Sequence, residues 1–330
     1  MSKPTTAVAG ARDDATCGVP LRPLSEFLAP RWWPAWTALA VARALAALPW
    51  RWQARLARGL GALAWYLARR ERRTTLINLR LARPLLSERE RRQIGRRHFH
   101  SLAYSVAETG LIWFDRRGRL AQLVRLEGVE HLERALATGR GALLLGAHFT
   151  TNEISAAALM LTGRRISAMY KPAGNQLLNQ LALRGRIRHG GKMIPSDQFV
   201  ELIRELQRGG IVVYSPDQRF DGDGRVVVPL FGVPALSNPG TALIARATKC
   251  TVLPYFPERR ADGSGYVMRI GAPLEFAVGA DPAVNVARYH ALLEAAVAAA
   301  PEQYLWSYKR FRPLPGQPDP YRGGRARGAP

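Results

Sequence analysis

Between residues 120 and 300 the chain alternates short apolar runs with stretches of helical spacing, and this alternation constrains the fold more than any other feature. The sharpest run is Gly141-Ala-Leu-Leu-Leu-Gly146, four apolar residues bounded by glycine. It is too short for a helix and lacks the polar alternation of a half-exposed strand, so it reads as a strand buried on both faces. Further strands are expected at 166–170, 211–215, 226–230, 251–257 and 266–270, with a shorter one opening at Val124. The spacing predicts helices over 151–161, 176–186, 200–207, 239–247 and 285–299. Strands alternating with helices give an α/β fold, a mostly parallel sheet covered by helices on both faces.

The first hundred residues have a different character. Residues 1–20 are small and polar, without a basic segment leading into an apolar one, and read as a tail and not as a cleaved leader. Leu28-Ala-Pro-Arg-Trp-Trp-Pro-Ala-Trp36 then opens an apolar run over 37–48, broken only by Arg43. Fourteen residues lie between Pro34 and Pro49. As a helix they would cover about 21 Å, against about 30 Å of bilayer hydrocarbon. A second, amphipathic stretch follows at 56–67. Six of the eight Trp fall between 32 and 65, and Trp concentrates where an apolar ring meets wet headgroups. The chain carries 48 Lys plus Arg against 25 Asp plus Glu, a formal +23. Of this, 16 Arg and three Glu between Arg31 and His100 account for +13. A basic, Trp-rich helical segment suits an anionic membrane surface, where charge attracts and apolar side chains insert. It serves as an anchor, either spanning the bilayer or lying in the interface. Residues 87–114 are expected to form a further helix, opened by the capping box Ser87-Glu-Arg-Glu90.

Several classes drop out. Nucleic acid is not the expected partner, because no Cys/His finger, RNP-like strand or basic zipper is present and the Trp residues sit in apolar runs. Cys17 and Cys250 give neither a disulfide framework nor metal-ligand spacing, and no metal site is expected. A serine nucleophile is not indicated, since the chain has no Gly-x-Ser-x-Gly elbow.

The chemistry points to His148, just past the end of the 141–146 strand, where open α/β sheets collect their ligands. Glu153 follows five residues later in Gly146-Ala-His-Phe-Thr-Thr-Asn-Glu153. With His148 in the turn and Glu153 in the first helical turn, the carboxylate would orient the imidazole and leave its other nitrogen to take a proton.

These residues belong to a wider pattern. Phe27-Leu-Ala-Pro-Arg-Trp-Trp-Pro34, Asn78-Leu-Arg-Leu81 and the His-x4-Glu block recur with Met169-Tyr-Lys-Pro172, Asn175 and Arg184-Gly-Arg186. Tyr214-Ser-Pro-Asp-Gln218, Val228-Pro-Leu-Phe-Gly-Val-Pro-Ala235 and Ala300-Pro-Glu-Gln-Tyr-Leu-Trp306 complete it. Over about 23 to 315 the chain resembles the late lipid A acyltransferases, Kdo-dependent lauroyl or myristoyl transferases of the lysophospholipid acyltransferase superfamily. It departs from them at Asn152, often Leu there, and at Ser237-Asn238, where Thr is common.

The resemblance implies a mixed, mostly parallel sheet of glycerolphosphate-acyltransferase type. The resemblance places the acyltransferase domain at 71–315, behind a disordered tail (1–22) and a membrane-anchoring helical segment (23–70) and ahead of a disordered basic tail (316–330). It further implies acyl transfer from acyl-carrier-protein to a hydroxyl of a Kdo-bearing lipid A precursor, at the cytoplasmic face of the bacterial inner membrane. Another lyso-lipid or glycolipid acceptor is the alternative. No cofactor is needed beyond the acyl donor. His148 would be the general base and Glu153 its orienting carboxylate. Arg186, Arg184, Lys171 and Asp217 would bind substrate. Arg186 would meet either the forming oxyanion or a lipid phosphate, and the Arg184–His189 cluster favours the phosphate.

Overall fold

The computed structural model describes residues 20–114, 118–160, 163–188, 190–276 and 281–322. Four helices lead the chain: α1 (Trp33–Ala47), α2 (Trp50–Leu67), α3 (Arg69–Ala82) and α4 (Glu88–Phe114). Each boundary has a local cause. Pro34 occupies the first turn of α1, where its missing N–H is not needed. Pro49 separates α1 from α2, and α3 stops just ahead of Pro84. α4 opens with the expected capping box: the Ser87 amide donates to Glu90 Oε2 at 2.7 Å, and the Glu90 amide donates to Ser87 Oγ at 3.3 Å.

At 27 residues, α4 is about 40 Å long and serves as the spine on which α1, α2 and α3 pack. The α2 contact is close because Gly61 faces it: a Cβ there would lie 2.6 Å from His100 Cα. Gln53, Ala57, Gly61 and Trp65 recur every four residues and form the buried face of α2. Trp52, Leu56, Leu60, Leu63 and Leu67, at helical spacing, remain 42–70% exposed. The segment expected to anchor the protein is therefore two helices packed on the spine, with an outward apolar stripe. No helix among the described residues is long and apolar enough to cross a membrane, so the spanning alternative is set aside for them.

The sheet has seven strands: β1 (Val124–Glu127), β2 (Ala142–Leu145), β3 (Ile166–Tyr170), β4 (Lys192–Pro195), β5 (Ile211–Tyr214), β8 (Thr251–Arg259) and β9 (Tyr266–Ile270). β6 (Val226–Leu230) and β7 (Val233–Ser237) form a separate antiparallel hairpin. The order across the sheet is β1-β9-β8-β2-β5-β3-β4. Every neighbouring pair is parallel except β8 with β9. The sheet is thus mixed and mostly parallel, as the resemblance implied.

β2 lies at its centre, between β5 and β8, with all four residues at 0% exposure. Its side chains alternate between two cores, the consequence of a two-residue period. Leu143 and Leu145 join Leu202 and Leu206 of α9 (Phe199–Gln207), Ile244 of α10 (Gly240–Thr248), and Leu293 and Val297 of α11 (Pro282–Ala299). Ala142 and Leu144 join Leu111 of α4, Leu120 of α5 (Arg119–Leu123), Leu132 of α6 (Val129–Ala137) and Ile154 of α7 (Asn152–Met160). The remaining helix, α8 (Gln176–Ile187), packs Leu177 and Leu181 against Phe27 and Ala35 of the amino-terminal segment.

Three features depart from the sequence expectations. β4 and β7 are strands that the apolar pattern does not announce. The expected carboxy-terminal tail is also folded in part. Tyr321 is 6% exposed, and its hydroxyl accepts from the Phe311 amide and donates to Asn78. Residues 1–19 and 323–330, the rest of the two expected tails, lie outside the described residues.

Candidate active site

β2 and β5 are parallel neighbours, and their register sets Leu145 beside Tyr214. Three residues beyond each of these strand ends come His148 and Asp217. Equal offsets from paired ends bring the two side chains together, with His148 Nδ1 2.6 Å from Asp217 Oδ1. Asp217 is 1% exposed, whereas the His148 side chain keeps 35% of its surface open. The carboxylate is therefore behind the ring, and the far side of the ring faces out.

The pair settles its own protonation. Burial works to lower the His148 pKa, but the charge and hydrogen bond of Asp217 win, and the ring is raised above the ordinary 6.5. For Asp217, burial pushes the carboxyl up. The His148 ring and backbone amide and the Arg310 guanidinium together outweigh this, and the carboxyl falls below the ordinary aspartate value. His98 and His290 show the contrast. Buried without a carboxylate partner, both are pushed down to about 4 by desolvation.

His148 opens into a cavity of about 580 Å³. The floor and walls include Met160, Met193, Val213 and Tyr255, with Ser105 and Thr109 of α4 on one side. This volume falls in the ordinary range for small-molecule sites. Glu153 and Arg186 line the same cavity. Arg186 Nε donates to Glu153 Oε2 at 3.0 Å, and its Nη2 to the other carboxylate oxygen, a two-pronged pair. Burial tends to lower the Arg186 pKa, but the Glu153 charge and hydrogen bond raise it, so this guanidinium is a fixed charge.

The expected partnership of Glu153 with His148 is accordingly replaced. Glu153, in the first turn of α7, is claimed by α8, and the carboxylate on the imidazole comes from the end of β5 instead. Asp217, expected to bind substrate, is buried behind the histidine. Arg184 does not line the cavity; it donates to the Arg22 carbonyl at 2.6 Å and ties α8 to the amino-terminal segment. Lys171 is exposed at the cavity rim. His189, the last member of the basic cluster, lies outside the described residues.

Sequence reasoning quoted Ala300–Trp306 as a motif of the family pattern but gave this segment no place at the site. Thr150 donates its amide to the Gln303 carbonyl at 2.8 Å, and the Leu305 amide donates to the His148 carbonyl at 3.1 Å. Phe149 and Tyr304 form an antiparallel bridge between them. The Ala300–Trp306 motif was the available signal, and its role was hidden because it lies about 150 residues from the histidine.

Fold and site define an α/β enzyme with a carboxylate-held histidine at the carboxyl edge of its sheet, facing a cavity with an apolar floor. Residues 23–313 match the bacterial lipid A biosynthesis acyltransferase family, and the chain belongs to it. It is 34% identical over 300 residues to the lipid A biosynthesis lauroyltransferase of Escherichia coli K12, covering 90% of this chain and 97% of that one. It is 31% identical over 291 residues to the palmitoleoyltransferase of the same pathway and organism, covering 88% and 94%. The myristoyltransferase is 25% identical over 299 residues, covering 90% and 93%. The protein is thus an acyltransferase of lipid A biosynthesis.

Proposed function

We propose that the protein moves an acyl chain from an acyl-carrier-protein thioester to a hydroxyl of a Kdo-bearing lipid A precursor, at the cytoplasmic face of the inner membrane. The observation that carries the chemistry is the 2.6 Å contact between His148 Nδ1 and Asp217, beside a cavity with an apolar floor. With Nδ1 held by the carboxylate, Nε2 is the basic atom offered to substrate. The acceptor hydroxyl gives its proton to Nε2 as its oxygen attacks the thioester carbon. The tetrahedral intermediate then collapses, the carbon–sulfur bond breaks, and the departing thiolate recovers the proton from the imidazolium. Ester and thiol are the products, and no redox partner or bound cofactor enters the balance.

The intermediate needs a donor for its oxyanion. The amides of Phe149, Thr150 and Asn152 are already engaged with Asn152 Oδ1, the Gln303 carbonyl and the Phe149 carbonyl. Arg186 lines the cavity as a fixed cation. Since Arg184 is occupied elsewhere, the cluster argument for phosphate loses its support, and we assign Arg186 to the oxyanion. Glu153 acts through Arg186 by fixing its plane.

The membrane reading rests on the exposed stripe of α2 and on the positive charge around it. Arg55 lies over the Trp52 ring at 4.9 Å, so cation and ring share one patch. Laid flat, α2 would bury its leucines among acyl chains and leave its arginines at headgroup level.

The deciding experiment supplies purified protein with acyl-acyl-carrier-protein and a tetraacylated Kdo-lipid A precursor. Mass spectrometry should find one added acyl ester, absent with the His148→Ala variant. No product from wild type with lauroyl, myristoyl or palmitoleoyl donors, the acyl groups that its relatives are named for, would overturn the proposal.

A further inference from the structure

The hydroxyl of Tyr304 donates to Asp217 Oδ2 at 3.2 Å. The His148 ring takes the other oxygen, and the His148 backbone amide also bonds the carboxylate. Tyr304 is 4% exposed and Asp217 1%, so this hydrogen bond is shielded from bulk solvent. The same residue bridges to Phe149, and its neighbours Gln303 and Leu305 bond to the backbone on either side of that phenylalanine. One short segment thus grips both the loop that carries the base and the carboxylate that orients it.

The segment is itself pinned from β8 and α3 and braced by a bond of its own. The Gln303 side chain takes both the amide and the carbonyl of Arg259 on β8, at 2.7 and 2.8 Å. Asn78 of α3 donates to the Trp306 and Tyr308 carbonyls, both at 2.6 Å. The Trp306 indole donates to the Pro301 carbonyl at 2.5 Å. The Tyr304 ring meets Phe149 and Trp306 edge to face, with centroids 5.8 and 5.1 Å apart.

We propose that Tyr304 is a positioning residue for acyl transfer, its hydroxyl holding the Asp217 carboxylate at the angle that keeps His148 Nε2 aimed into the cavity. This rests on the His148–Asp217 reading above and adds a residue to it. Other groups face Asp217 but are committed elsewhere. Tyr289 donates to the Gly146 carbonyl, and His290 is engaged with the Pro229 carbonyl and Ser237. Arg310 contributes charge while its hydrogen bonds go to the Leu236 carbonyl and Ser237 Oγ. Of these, Tyr304 alone supplies a side-chain hydrogen bond to Oδ2.

The test is Tyr304→Phe, which keeps the ring and its packing and deletes only the donor. In the assay above, kcat should fall about tenfold, the scale of one hydrogen bond to a charged group, with KM unchanged. The acid limb of the kcat/KM profile should also move to higher pH. Without the tyrosine, more of the carboxylate's charge rests on Oδ1, beside the imidazole, and favours its protonated form. The same substitution is then made in an Asp217→Asn background, where it should cost little, because its route to the histidine is already cut. Equal losses in both backgrounds would make Tyr304 a packing residue and overturn the proposal. So would wild-type kcat and an unmoved limb in Tyr304→Phe. Wild-type behaviour of Asp217→Asn alone would instead sink the His148–Asp217 reading beneath it.

Discussion

At the scale of single residues, the site turns on which carboxylate holds which cation. His148 with Asp217 makes a base; Arg186 with Glu153 makes a fixed positive charge. The assignments give separable expectations. His148→Ala should lower turnover by about 10²–10⁴, the range for a general base, with little change in Tm. The pH dependence follows from the sign of the shift. Only the neutral ring accepts a proton, and the ring is raised above 6.5, so activity should fall as pH drops through a value above 6.5. Asp217→Asn removes the anion that raises it. Burial then dominates, and the limb should move down; a limb that stays in place in that variant would contradict the pairing. Arg186→Lys keeps the charge but loses the planar fork. Serving the oxyanion, it should cost about 10²-fold in kcat with KM little altered. A rise in KM alone would return Arg186 to the acceptor phosphate. The sequence made His148 and Glu153 legible from a strand end and the helix start that follows it, and Arg186 only through the family resemblance. It hid the partner choice, which depends on the register of β2 against β5. The clue was there: His148 and Asp217 each follow an apolar run by three residues.

At the scale of elements, the fold was most readable where local pattern and burial agree. β3, β6 and β9 fall at the expected residues, and β2 differs only by its flanking glycines. β4 was hidden because Lys192 opens it and Pro195 closes it, leaving two apolar residues between. A lysine tolerates that burial here because its Nζ meets Glu201 at 2.6 Å and Glu205 at 2.7 Å, both on α9. β7 was hidden by an unusual turn. Phe231 and Gly232 have φ of 52° and 75°, both positive, as a tight primed hairpin turn requires. Asparagine usually fills the first place. Phenylalanine holds it here because its amide donates to Glu294 Oε1 at 2.5 Å and its ring packs on Trp306 at 5.6 Å. Gly232 has no such compensation. Gly232→Val should therefore destabilise by about 1–3 kcal/mol through backbone strain, although a side chain there would meet nothing within 4 Å. Urea denaturation would read it, and an unchanged midpoint would show that the turn relaxes freely.

At the scale of the whole molecule, the proposed membrane contact divides between charge and apolar surface. A formal +23 draws the protein toward an anionic surface over about a Debye length, and salt weakens that pull. The stripe of α2 acts only on contact and is indifferent to salt. Its buried face is fixed against α4 through Gly61, so the outward leucines keep their direction without a membrane. Replacing Leu56, Leu60 and Leu63 with serine should leave folding intact, since all three are 42–54% exposed. At about 1 kcal/mol or more of apolar burial lost per residue, binding to vesicles of phosphatidylglycerol and phosphatidylethanolamine should fall by about a hundredfold or more. The wild-type protein should stay bound in 1 M salt, roughly the concentration at which screening reaches 3 Å, while the triple variant should come off. Complete release of both by salt would mean that arginine alone holds the protein to the bilayer and that the stripe serves another contact. Turnover on a detergent-dispersed acceptor separates the two roles further. The triple variant should match wild type there and fall behind only on vesicles, since the proposal assigns delivery of the cavity to α2 and the transfer to the edge of the sheet.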